Sequence, residues 1–150
     1  MYLILDTGPW VALHCQNDGY HDWAKAQFAQ YPSPFLTCEA VVAETCFLLA
    51  YAGFDPAKAL ALIERGVVDV AMSLADEVAA VRALFQRYDN VPASLADACL
   101  IRLAELNEPC RVVTLDSDFP IYRRFSEEFN ESFSPWRAPI PQPGTELLGG

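Results

Sequence analysis

VVTLDSDF, residues 112–119, runs from apolar and β-branched residues straight into two carboxylates, Asp116 and Asp118. A short apolar run of this kind reads as a buried strand. The chain opens with the same grammar in YLILDTGP, residues 2–9, where the apolar run ends at Asp6. Working outward from these two stretches, FLT at 35–37 and VVDVAM at 67–72 are further strands, and the segments between them are helical in pattern. Gly8-Pro9 starts a helix to about residue 14, because proline suits a first turn. Residues 19–30 form a helix with Trp23, Ala26 and Phe28 toward the core, and Trp10 is a core residue as well. Another helix covers 39–51 and ends at Gly53, and Asp55-Pro56 opens the next, to Arg65. Residues 74–88 are amphipathic, Pro92 and Ser94 open a helix to about 107, and a short helix follows at 119–125. Strands alternating with helices predict an α/β sandwich with a largely parallel sheet.

At 150 residues the chain is read as one domain over 1–134, followed by a proline-rich tail over 135–150 that carries Pro135, Pro139, Pro141 and Pro143. A hydrophobic content of 53% marks a globular protein. No apolar run reaches the ~18 residues needed to span a bilayer, and no basic leader precedes an apolar core. The five cysteines, 15, 38, 46, 99 and 110, are odd in number and form no C-x-x-C pair. They suggest neither a disulfide framework nor a zinc site, and the expected location is a reducing cytoplasm with no membrane association.

The net charge of −10 opposes sequence-independent binding to nucleic acid, which normally shows a basic footprint. The bases are unevenly placed, however: only Lys25 and Lys58 fall in the first 64 residues, and all eight arginines follow. Arg102, Arg123 and Arg124 accompany Asp97 and Asp116 in the chain and are candidates for a cationic rim that contacts phosphates. The competing reading of each is a solvated surface arginine.

In a parallel sheet, ligands gather beyond the carboxyl ends of the strands, where Asp6 and Asp116 are expected. Each is also a respectable helix cap. Glu44 tips the balance, since its helical neighbours Ala40, Val41, Phe47 and Leu48 are all apolar and no base lies between Lys25 and Lys58 to pair with it. Asp97 lies on the apolar edge of its helix, and with Ser94 it also fits the S-x-x-D capping pattern. Carboxylates brought together repel and raise one another's pKa, so such a cluster calls for a cation. Mg²⁺ or Mn²⁺ fits best, being hard, oxygen-seeking and able to keep waters for a phosphate ligand. The expected chemistry is phosphodiester hydrolysis.

LDTGP, VVAET with Glu44, SLADA with Asp97 and TLDSDF with Asp116 together resemble the ordered acidic motifs of the PIN-domain ribonucleases, VapC-like toxins in particular, over about residues 2–125. The resemblance implies a three-layer α/β/α sandwich, Mg²⁺ or Mn²⁺ dependence, RNA cleavage, a homodimer and an inhibiting antitoxin. It assigns Asp6, Glu44, Asp97 and Asp116 as catalytic metal ligands, Asp118 as a candidate fifth, and Thr7 and Ser94 as supporting hydroxyls. The strong acidity and the proline-rich tail depart from the family pattern. Two readings compete with a toxin: a catalytically silent PIN-like module that binds a protein, and a solitary RNA-processing nuclease. A phosphorylation receiver also clusters Asp at strand ends but needs a late strand-end Lys, and no lysine follows Lys58. His21 is read as structural, and His14 beside Cys15 as no catalytic pair, because neighbours in sequence rarely face each other on a helix.

Overall fold

The computed structural model describes residues 1–87 and 94–115, and the backbone of 131–133. The first half alternates as its sequence predicts: β1 (Tyr2–Leu5), α1 (Thr7–His14), α2 (His21–Gln30), β2 (Phe35–Thr37), α3 (Glu39–Tyr51), α4 (Ala57–Glu64) and β3 (Val68–Val70). Then come α5 (Leu74–Arg87), α6 (Leu95–Leu106), β4 (Cys110–Val113) and β5 (Glu131–Phe133). The strands form one sheet in the order β3-β2-β1-β4-β5, and each pairing is parallel. Leu3, Ile4 and Leu5 are all buried although they point alternately to the two faces, so helices cover both sides of the sheet. The architecture is an α/β sandwich.

The strand order carries the functional consequence. The chain builds outward from β1 through β2 to β3, returns through α5 and α6, and adds β4 on the other side of β1. The direction of winding therefore reverses between β1 and β4. A crevice opens at such a switch point because the connections on its two sides leave in opposite directions. β1 and β4 are in register from Tyr2 opposite Cys110 to Leu5 opposite Val113, so the next residues of both strands emerge side by side.

α6 is the central helix of the core, with Leu100, Ile101 and Leu103 essentially inaccessible, and it packs on β1, β4, α3 and α5. α1 packs on α2 and α3, and fully buried Trp10 anchors it. α3 ends where Gly53 takes a positive φ of 85°. That conformation lets Phe54 N–H reach Leu49 O at 2.9 Å and Gly53 N–H reach Ala50 O at 3.1 Å, satisfying the last carbonyls of the helix.

Several details depart from the sequence reading. Ala26 is exposed; Ala24 and Gln27 hold the buried face of α2, with Trp23 and Phe28 packed at the core's margin. The third strand is three residues long rather than six. β5 has a short, polar-flanked sequence, and its place in the sheet depends on pairing with β4, which a local pattern does not encode. The expected helix at 119–125 and the tail lie outside the described residues. No described helix is long and apolar enough to cross a membrane.

Candidate metal and nucleic-acid site

Asp6 is the first residue after β1. Its backbone is extended (φ −86°, ψ 166°), and its N–H still joins the sheet by donating to Val113 O at 3.1 Å. The side chain caps α1, with Oδ1 accepting from Thr7 N–H at 2.7 Å. Oδ2 accepts from the Thr114 hydroxyl at 2.6 Å, across the switch point. Asp6 is 8% exposed and Thr114 is fully buried. The one carboxylate thus caps α1 with one oxygen and bridges the switch point with the other. On the other flank, the Thr37 hydroxyl at the end of β2 donates to Leu5 O at 3.0 Å, so hydroxyls tie the ends of three adjacent strands together.

α3 and α6 bring the other acids to this edge. Glu44 is exposed overall, but partial desolvation of its carboxyl, and then the charge of Asp97, raise its pKa from the ordinary value. The nearby Thr7 hydroxyl opposes that shift by favouring the ionised form. Thr7 Oγ1 is buried, and its interaction with Glu44 falls short of regular hydrogen-bond geometry. Ser94 caps α6 and accepts Asp97 N–H at 3.1 Å, so it fixes the turn that carries the Asp97 side chain.

Asp6, Thr7, Glu44, Ser94 and Asp97 thus stand at one edge of the sheet. Asp116, Asp118, Arg123 and Arg124 lie outside the described residues. Among the described residues, no three Asp, Glu, His or Cys side chains come close enough to hold a metal ion by themselves. The donor set nevertheless fits a hard divalent cation. It is all oxygen, it includes the buried Thr7 hydroxyl beside Glu44, and a cation would relieve the repulsion between Glu44 and Asp97.

Other candidate residues have structural work. Arg102 Nε donates to Glu77 on α5 at 2.9 Å and its Nη1 to Glu105 at 3.1 Å, so two carboxylates hold its guanidinium. His21 Nδ1 bonds Ala12 O at 2.8 Å and ties α2 to α1. Burial and the positive charge of Lys58 push the His14 pKa down. The five cysteines are free thiols. Sequence reading missed Thr114. Its signal was a hydroxyl between a strand and an acid, but no local rule says which carboxylate such a hydroxyl reaches.

The class defined by this geometry is a parallel α/β domain with acids gathered about its topological switch point. The profile of the PIN domain family matches residues 3–124, and the chain belongs to that family. Among solved structures, it is similar to VapC20 of Mycobacterium tuberculosis, a toxin that cleaves the sarcin-ricin loop. The TM-score is 0.73 and the identity 26%, over 80% of this chain and 94% of that one. Curated proteins yield no match.

Proposed function

We propose that the protein is a metal-dependent endoribonuclease and the toxin of a toxin–antitoxin pair. The observation that carries this reading is the placement of Asp6, buried and held by two hydrogen bonds, at the switch point, with Glu44 and Asp97 in mutual electrostatic contact at the same edge. Membership of the PIN family and the likeness to a VapC toxin support the substrate class.

Asp6, Glu44, Asp97 and Asp116 would hold Mg²⁺ or Mn²⁺, with Asp118 as a fifth acid. A divalent ion held by these acids would supply Lewis-acid chemistry, namely water activation and charge neutralisation on a phosphodiester. The chain's own contribution is preorganisation. Thr7 N–H and the Thr114 hydroxyl fix the Asp6 carboxylate before any ligand arrives, and Ser94 fixes the turn that bears Asp97. Arg123 and Arg124 are the proposed phosphate contacts. Arg102 would join them only by leaving Glu77 and Glu105, since its guanidinium is shared between those acids.

The partners follow from charge and exposure. An acidic crevice attracts a cationic side chain, so an antitoxin would direct an Arg or Lys toward Asp6, Glu44, Asp97 and Asp116. The apolar part of such a partner has a matching surface on α3, where Phe47 (66% exposed) stacks on Tyr51 (84% exposed) at 6.3 Å, within two turns beyond Glu44. A homodimer and a cytoplasmic location complete the proposal.

The test is cleavage of labelled RNA by the purified chain. Mg²⁺ or Mn²⁺ should support it, EDTA should stop it, and returning the ion should restore it. Cleavage that persists in excess chelator, or none with either ion, would contradict the proposal.

A further inference from the structure

We infer that Thr114 is a positioning residue of the site: its buried hydroxyl sets the orientation of the Asp6 carboxylate and latches the end of β4 to the turn between β1 and α1. The inference rests on the reading of Asp6 as a metal ligand and adds to it a residue on another strand.

The first observation is the hydrogen bond itself. Thr114 Oγ1 donates to Asp6 Oδ2 at 2.6 Å between residues 108 positions apart, and Thr114 is fully buried. A short bond from a hydroxyl to a carboxylate is charge-assisted and about twice as strong as a neutral one. Together with the 2.7 Å bond from Thr7 N–H to Oδ1, it gives each Asp6 oxygen a donor from a different strand end. Rotation about the Asp6 side chain would break both at once. The carboxylate is therefore held in one orientation.

The second observation is independent of the hydroxyl. Gly8, in the first turn of α1, sits against Leu115, the residue after Thr114. A β-carbon built at Gly8 would fall 3.1 Å from Leu115 Cβ and 3.3 Å from its Cγ. The β4 exit and the α1 start are thus pressed together at two successive residues, by a hydrogen bond at Thr114 and by the absence of a side chain at Gly8.

Outer partners of metal ligands generally contribute about 10- to 100-fold in metal affinity. Thr114→Val removes the donor while keeping the shape; Thr114→Ser keeps the donor. Mn²⁺ titrated into each folded protein by calorimetry should bind Thr114→Val about 10- to 100-fold more weakly than wild type. Thr114→Ser should stay within about threefold, and Gly8→Ala should fall between the two. Metal-free crystal structures provide a readout that needs neither metal nor activity: Asp6 should keep its side-chain rotamer in wild type and Thr114→Ser and change it in Thr114→Val. An unchanged Asp6 rotamer together with wild-type Mn²⁺ affinity in Thr114→Val would overturn the inference. If wild type itself fails to bind Mn²⁺, the metal reading falls, and the rotamer comparison alone still decides whether Thr114 orients Asp6. Should Thr114→Val not fold, equal Mn²⁺ affinity of Gly8→Ala and wild type would overturn the latch.

Discussion

The acids at the sheet edge fall into two groups with opposite electrostatics. Asp6 leaves the end of β1 almost wholly buried, with a donor on each oxygen, so its charge is already compensated by the fold. Glu44, on α3, is more exposed, and its neighbours disfavour its charge: burial and Asp97 raise its pKa, with only the Thr7 hydroxyl acting the other way. The strand-end carboxylate is a built part of the scaffold, whereas the helix carboxylates hold an unfavourable arrangement that a cation would relieve. Under the proposed function, stability and activity are joined at Asp6 and opposed at Glu44.

The largest effect should come from breaking the first group. Asp6→Asn should lower RNA cleavage by at least about a hundredfold, because it removes a ligand charge from a metal whose contribution is worth several kcal/mol. It should leave the fold nearly intact, because the amide oxygen can still accept from Thr7 N–H and the amide nitrogen can donate to the Thr114 hydroxyl. Asp6→Ala satisfies neither donor and should cost about 1–3 kcal/mol in urea unfolding. Equal stability of the Asn and Ala variants would break the claim that the scaffold depends on this carboxylate.

Glu44 should behave in the opposite sense. A carboxyl whose pKa is higher in the folded chain than in the unfolded one contributes stability fully below the unfolded value of 4.5, and that contribution is lost as pH rises through the folded value. Glu44→Gln should therefore melt higher than wild type at pH 7 in EDTA. The advantage should shrink toward pH 4.5 and vanish below it. A Glu44→Gln variant that melts lower than wild type at pH 7 would show that the carboxylate is stabilised by its surroundings, as Asp6 is.

The smallest effect concerns Arg102, which neutralises acids away from both groups. Its pairs with Glu77 and Glu105 are part-exposed, so Arg102→Ala should cost no more than about 1 kcal/mol. RNA affinity measured by filter binding should stay within about twofold, whereas a loss comparable to that of an Arg123→Ala, Arg124→Ala double variant would place Arg102 on the phosphate path.

How much of this could be read from the chain follows from the range of each interaction. β1 and β4 were legible because each is a run of apolar residues that ends in an acid, and α3, α5 and α6 because their caps and periodicity are local. Glu44 and Asp97 stood out as acids set among apolar neighbours on their own helices. What escaped was set by contacts distant in sequence: β5 by pairing with β4, the exposure of Ala26 by the angle at which α2 lies on α1, and Thr114 by a hydrogen bond across 108 positions. Arg102 shows the same limit, since its proximity to Asp97 on α6 said nothing of Glu77 on α5.

The central claim is that the edge between β1 and β4 holds a divalent cation through Asp6. Crystals soaked in Mn²⁺ and measured for anomalous scattering test it most directly. We expect one strong peak about 2.1 Å from an Asp6 oxygen, with Glu44 or Asp97 drawn toward it, and loss of that peak in Asp6→Asn. A peak that ignores Asp6, or an unaltered peak in Asp6→Asn, would contradict it.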